Sequence, residues 1–219
     1  SSDLFEGKRH NVYFAAIDGR PTRVLHAVIN RTDKLDDTGL AVEGLTLRTD
    51  HELVSQTERV LSKLNYTGIG CAQFLVNENS GSTSFLEINP RIAGNHALPE
   101  FAGLDLAWFN YERVVKNKTI KKKILAKNGI KYFWLGGDLM GAKVAYLRGE
   151  IGVSELLRWT VKAIITATQS DLCIDFSRRD LMPGIRGLLN VLPRMARWKK
   201  REINPGENTI YANEQRRVS

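Results

Sequence analysis

The stretch from Cys71 to His96, CAQFLVNENSGSTSFLEINPRIAGNH, constrains this chain more than any other. Two runs rich in β-branched and aromatic residues, CAQFLVN and TSFLEIN, flank Asn79-Ser80-Gly81. The pattern is that of a β-hairpin, with Gly81 suited to the left-handed position of a three-residue loop. Centring the turn on Ser80 predicts Leu75 opposite Phe85, Gln73 opposite Glu87 and Cys71 opposite Asn89. Side chains alternate along a strand, so Phe85, Glu87 and Asn89 would share one face, with Gln73 joining them from roughly 5 Å away.

That face is apolar near the turn and polar at its far end. One carboxylate beside two amide oxygens on rigid strands is a poor core but a reasonable cage for a hard cation. Mg²⁺ is typically held by one or two carboxylates together with substrate phosphates and water. Arg91 follows within two residues and offers a planar donor fork for phosphate or carboxylate. A surface hairpin with one solvated face would carry the same alternation.

The family resemblance lies in the same residues. Gln73, thirteen intervening residues, and then Glu87-Ile88-Asn89-Pro90-Arg91 with the following Gly94 resemble the metal-binding signature of ATP-grasp ligases. The nearest pattern is that of the carbamoyl phosphate synthetase large subunit, and the likeness runs from about Asp3 to Val115, roughly half the chain. The resemblance implies ATP and Mg²⁺ (or Mn²⁺) as cofactors, with Gln73, Glu87 and Asn89 as metal ligands and Gln73 and Glu87 also contacting the nucleotide. It implies Arg91 as the group that stabilises an acyl phosphate. Glu6-Gly7 resembles the "EG" that opens the hairpin after the adenine segment, and His10 falls where biotin carboxylases carry a His near the nucleotide; both are expected at the nucleotide site. Thr38-Gly39 resembles the Thr-Gly of a loop that closes over the nucleotide.

Asn95 and His96 fall where these enzymes face the second substrate. Biotin carboxylases have a catalytic Glu at the place of Asn95, and an amide is no general base, so carboxylation of biotin is not expected. Asn95 could hydrogen-bond an acceptor and His96 could assist proton transfer, its ordinary pKa lying near 6.5. Either could equally cap the helix beginning near Ala97.

Around this hairpin the chain reads as α+β: an antiparallel sheet with flanking helices, matching the C-terminal lobe of an ATP-grasp fold, plus a mostly helical C-terminal extension. NVYFAAI and TRVLHAVI flank Asp18-Gly19-Arg20-Pro21, a second hairpin within residues 3–30. A helix is predicted from Asp50 to Leu64, with Thr49-Asp50-His51-Glu52 as its capping box, His51 on its surface and Leu53, Val60, Leu61 and Leu64 buried. Another is predicted from Leu104 to Val115, with Ala107, Trp108, Tyr111 and Val115 facing the core. The domain division expected is 1–115 for the ATP-grasp lobe, 116–201 for a mainly helical extension, and 202–219 for a disordered tail. Within the extension, a strand at Lys131–Leu135 precedes helices capped by Asp138 and Ser154.

The net charge of +8 is local. Lys116, Lys118, Lys121, Lys122, Lys123, Lys127 and Lys131 form one acid-free run, and Arg186, Arg194, Arg197, Lys199, Lys200 and Arg201 another; the two hold 13 of 32 basic residues, leaving the remainder net acidic. Base-reading or stacking groups arranged within such a patch would be expected of a nucleic-acid binder, and neither run displays an evident recognition motif, so no nucleic-acid partner is expected. The basic amphipathic segment Pro183–Arg201 leaves an anionic membrane surface as a lesser alternative, as part of a catalytically silent, partner-binding lobe. No apolar run reaches the ~18 residues needed to span a bilayer. The first residues contain no apolar signal region, and Cys71 and Cys173 are isolated in apolar stretches as reduced thiols; a cytoplasmic protein is expected.

The lysines and Gly-rich loop of the preceding ATP-grasp lobe have no counterpart, since neither G-x-x-x-x-G-K-[ST] nor G-x-G-x-x-G occurs. The expectation is a ligase that activates a small-molecule carboxylate with ATP and passes it to an amine. The missing N-terminal lobe would be supplied in cis or as a second chain, and this chain alone would be inactive.

Overall fold

The computed structural model describes residues 6–117, 124–176 and 182–191. Residues 1–5, 118–123 (with Lys118, Lys121, Lys122 and Lys123), 177–181 and 192–219 lie outside the described residues, so the predicted tail and most of the second basic run do too.

β1 (Lys8–Ile17) and β2 (Arg20–Thr32) form the centre of an eight-stranded sheet. They are joined by Asp18 and Gly19, whose φ angles are 50° and 76°. Left-handed conformations at both positions match the twist of a two-residue hairpin. Gly19 is needed for a further reason: a Cβ there would stand 2.5 Å from Cα of Ser62. β1 is buried without interruption from His10 to Ala16, because both faces of this strand are covered.

β3 (Ala41–Leu47) pairs antiparallel with β2, and α1 (His51–Lys63) follows. Its N-cap is Asp50, whose side chain accepts from the Glu52 and Leu53 amides, so the predicted Thr49 capping box is replaced by an Asx cap one residue later. β4 (Gly68–Val76) returns beside β1, and β5 (Thr83–Asn89) forms the sheet edge. Leu53 and Leu61 of α1 pack with Val12, Phe14, Phe74 and Ala72 on one face of this sheet. The other face carries Tyr13, Leu25 and Cys71, covered by α2 (Ala97–Phe101) through Leu98 and by Leu104.

α3 (Leu106–Val114) lies on that second face, and its orientation differs from the one predicted. Phe109 is its buried residue, packed with Ala15 and Ile69, whereas Trp108 and Tyr111 are 47% and 44% exposed. The rings of Trp108 and Tyr111 lie 5.2 Å apart, with the Lys116 ammonium 4.6 Å from the Trp108 centroid. The 3.6-residue period located the helix but could not tell two apolar stripes apart.

Residues beyond 115 extend the same sheet. β6 (Ile124–Leu125) runs parallel to β2, β7 (Lys131–Phe133) pairs antiparallel with β3, and β8 (Leu172–Cys173) lies parallel to β7. The sheet is thus mixed rather than wholly antiparallel. α4 (Leu135–Leu147), α5 (Val153–Gln169) and α6 (Met182–Val191) supply the expected helical part.

Trp134 and Gly152, not Asp138 and Ser154, hold the N-cap positions of α4 and α5. Asp138 is fully buried: Arg31 of β2 grips it at 2.9 Å and Trp159 Nε1 donates to it at 3.0 Å, while Arg31 also reaches Glu43. An acid in a first helical turn reads as a cap, yet only the tertiary fold brings the arginine that makes its burial tolerable.

Candidate functional site

The signature hairpin has the predicted register at the polar end and a different one near the turn. Cys71 pairs with Asn89 and Gln73 with Glu87, but Phe74 then pairs with Phe85 and Leu75 with Ser84. Leu86 is the extra residue of a β-bulge, which reverses the side-chain alternation of everything between it and the turn. Phe85 therefore leaves the face of Glu87 and stacks edge-on against Phe74 at 5.5 Å on the α1 side, correcting the expected pairing with Leu75. The turn itself spans more than three residues. Asn77 donates its amide to the Ser82 carbonyl, its side chain accepts from the amides of Asn79 and Ser80, and Gly81 is left-handed at φ 70° as expected.

On the sheet face opposite α1, two rows cross the strands. One contains Asn11, Gln73 and Glu87; the next contains Tyr13, Cys71 and Asn89. Directly opposed residues carry their Cβ atoms roughly 5 Å apart on the same face. Asn89 Nδ2 donates to Glu87 Oε1 at 2.7 Å. Rotating that amide by half a turn would present its oxygen instead, so the three residues can offer a carboxylate and two amide oxygens to a hard cation. Among the described residues there is no group of three or more His, Cys, Asp and Glu that could hold a metal. An oxygen set with a single carboxylate differs from such a cluster and suits a cation that arrives with phosphates.

Asn11, Gln73, Cys71 and Asn89 of these rows line one wall of a cleft of about 370 Å³. Gln73, Asn89, Arg91 and Asn95 line it together, and the far wall, with Trp134 and Asp175, comes from beyond β7. Arg91 is exposed, with Nη1 donating to the Ile92 carbonyl at 3.2 Å. Asn95 does not cap α2; its Nδ2 donates to the Tyr13 hydroxyl at 2.6 Å and ties the segment after Pro90 to the sheet. His96 holds the N-cap position of α2 without a side-chain cap, is exposed, and lines a small pocket with Pro99 and Leu106 that adjoins the cleft, Arg91 and Ala93 lining both.

Glu6 and His10 are not brought to this cleft. Glu6 is exposed beside the β4–β5 turn, where its carbonyl accepts from Asn77 Nδ2. His10 projects to the α1 side of β1, the face opposite Gln73, because even and odd positions of a strand part company. There it is buried against His26, with Nδ1 of His10 2.8 Å from Nε2 of His26.

The cleft also holds residues that the sequence reading passed over: Arg9 and Asn11 of β1, and Tyr132, Trp134 and Asp175. Asn11 becomes a neighbour of Gln73 only through β1–β4 pairing across some sixty residues of chain, which no local pattern encodes. Cys71 is a free thiol at the cleft floor, and burial pushes it up to about 12, so it is protonated and unreactive at neutral pH. Burial likewise raises the hydroxyls of Tyr13 and Tyr132.

With the hairpin and its register in place, a comparison with protein families bears on the same segment. Residues 41–123 match the carbamoyl-phosphate synthase L chain, ATP binding domain. Over these residues the chain is similar to the ATP-binding domain of an ATP-grasp protein. No curated protein matches the chain. Among solved structures it is similar to a complete multifunctional pyruvate carboxylase from Rhizobium etli, at 17% identity over 59% of this chain and 13% of that one, with a TM-score of 0.47. It is similar to a biotin carboxylase in a β,γ-ATP complex from Campylobacter jejuni, at 16% identity over 58% and 29% and a TM-score of 0.44. It is also similar to an L-amino acid ligase from Bacillus licheniformis, at 10% identity over 52% and 30% and a TM-score of 0.40. The chain thus spans less than a third of each of these proteins. Among the described residues no helix is long and apolar enough to cross a membrane.

Proposed function

We propose that this chain carries the metal- and nucleotide-binding face of an ATP-dependent ligase that activates a carboxylate as an acyl phosphate and passes it to an amine. The observation that carries this reading is the opposition of Gln73 and Glu87, with Asn89 hydrogen-bonded to Glu87 on the same face of an ATP-grasp segment. Glu87, Gln73 and Asn89 would together hold Mg²⁺ (or Mn²⁺). The ions would supply charge neutralisation along the phosphates, which is most of what phosphoryl transfer asks of a protein.

Arg91, exposed at the cleft mouth, is suited to the equatorial oxygens of the acyl phosphate. Asn95 is held by Tyr13 and acts as a positioning residue for the segment that bears Arg91. Glu6 and His10 face away and have no part in this reading, while His96 lines the adjoining pocket that Arg91 also borders and is given no step in it. The protonated Cys71 leaves no thiolate, in keeping with a reaction that needs no protein nucleophile.

A preceding lobe, in cis or as a second chain, would complete the phosphate cradle and supply the adenine contacts. Titration with Mn²⁺, read by paramagnetic broadening of the Asn89 side-chain amide, tests the metal face directly. Broadening is expected in the native chain and at least a tenfold weaker affinity in Glu87→Gln; an unchanged affinity in that variant overturns the reading.

A further inference from the structure

Two polar groups on β1 face the cleft without protein partners. Asn11 is 5% exposed, and its Oδ1 is buried with no hydrogen bond; the buried Nε of Arg9 has none either. Both residues line the cleft, and they stand two positions apart on the same strand face, roughly 7 Å at Cα. A buried polar group without a partner is costly, so a pair of them in a cleft wall marks a place for a ligand atom.

The hydrogen-bond count indicates the polarity of that ligand. Amides of Asn11 and Asn95 both point donors at the Tyr13 hydroxyl, at 3.1 and 2.6 Å. That oxygen can accept from both, but its own hydrogen then has no acceptor in this cluster, and turning one of the two amides would supply an oxygen for it. If Asn11 turns, its NH₂ faces the cleft as a donor beside the Arg9 N–H. The guanidinium of Arg9 is otherwise engaged through Nη1 to the Gly39 carbonyl at 3.0 Å, a neutral acceptor. Arg91 adds a second cation to the same cleft, while Asp175 on the far wall accepts from the Gly136 amide at 3.0 Å.

We propose that Arg9 and Asn11 form an oxyanion subsite beside the Gln73 row, taking a carboxylate or phosphate group. The proposal deepens the ligase reading and rests on it only for which anion is at hand. A substrate carboxylate held there would lie one strand away from the metal-bound phosphates, where the acyl phosphate has to form. The terminal phosphate of the nucleotide presents the same oxygen chemistry.

Inorganic phosphate and succinate are the probes, titrated against the native chain while the side-chain amide resonances of Asn11 and Asn89 are followed. Asn11 is expected to shift with either probe, without recourse to any variant. Arg9→Gln and Asn11→Val, each checked for native circular dichroism, are expected to weaken probe binding at least tenfold while Mn²⁺ broadening at Asn89 persists. Glu87→Gln is expected to lose the Mn²⁺ effect and keep phosphate affinity within twofold, so the two readings can fail separately. Displacement of both probes by magnesium tripolyphosphate marks the nucleotide as the source of the anion; succinate binding that survives it marks a substrate carboxylate. No shift at Asn11, or affinities within twofold of native in both β1 variants, overturns the subsite.

Discussion

Gly70 and Asn89 meet with no room for a side chain between them. A Cβ on Gly70 would stand 2.7 Å from the Asn89 carbonyl oxygen and 2.6 Å from the Phe14 ring. Neither neighbour is a flexible side-chain end, so the backbone that carries a proposed metal ligand rests directly on this glycine.

Gly70→Ala is therefore expected to destabilise the fold by about 1–3 kcal/mol through overpacking. Because the strain falls on β5, Mn²⁺ affinity should drop in parallel. Chemical denaturation and Mn²⁺ titration of the same variant check both effects; a stable variant with native affinity would show that β5 can move aside freely.

The buried pair His10 and His26 makes stability depend on pH. His26 Nδ1 lies 3.0 Å from the Arg48 carbonyl and its Nε2 faces His10, an arrangement that two neutral rings satisfy in sequence. Burial, and then the neighbouring His26, lower His10 to about 4; burial also lowers His26. The folded pKa is thus below the unfolded value near 6.5. Between these values the unfolded chain takes up a proton that the native chain refuses, and stability falls as pH is lowered from 6.5 towards 4. Linkage puts the loss from His10 at about 3 kcal/mol. Urea denaturation at pH 7.5 and pH 4.5 is expected to show that slope, and His10→Phe should flatten it.

α3 supplies a test of which stripe is the core. Phe109→Ala should cost about 3–5 kcal/mol, as a fully buried aromatic does. Trp108→Ala removes a half-exposed ring and its contact with Lys116, worth about 1 kcal/mol or less. Thermal denaturation of the two variants decides it, and a larger loss from Trp108 would contradict the orientation found for this helix.

Arg31 and Asp138 join the strands of the first half to α4. Burial raises the Asp138 carboxyl above the usual carboxylate range, against the lowering effects of Trp159 and Arg31. Arg31→Met leaves that acid without its cation and is expected to destabilise by about 3–5 kcal/mol at neutral pH. The penalty should shrink at pH 5, where Asp138 can be buried protonated. Denaturation at both values measures the difference; an equal cost would show that Asp138 is not the group in distress.

Much of the sheet was legible in local chemistry. The Asp18-Gly19 and Gly81 turns, α1 and the opposition of Gln73 to Glu87 all follow from residues within one hairpin or one helix, where backbone preference and side-chain alternation act over a few positions. The failures share a cause. The bulge at Leu86, the exposed face of α3 and the burial of Asp138 each depend on a partner brought from elsewhere: Phe74 with the α1 layer, Ala15 with Ile69, and Arg31.

For the candidate site the division is similar. Gln73, Glu87, Asn89 and Arg91 were named by their spacing along one hairpin, and Asn95 was placed beside them. Glu6 and His10 were expected at the nucleotide site but part from the cleft, His10 because strand alternation sets which way a side chain points, while His96 lines the small pocket adjoining it. Arg9, Asn11 and the far wall from Trp134 and Asp175 emerged only when β1 was laid beside β4 and β7 was added beyond β3. The hairpin, its oxygen-bearing side chains and the resemblance they carry were readable from the amino-acid order alone, since these are local and repeat a recognisable spacing. Tertiary structure alone decided which residues face one another across the cleft, since hydrogen-bonding between distant strands puts unrelated parts of the chain within a few ångströms.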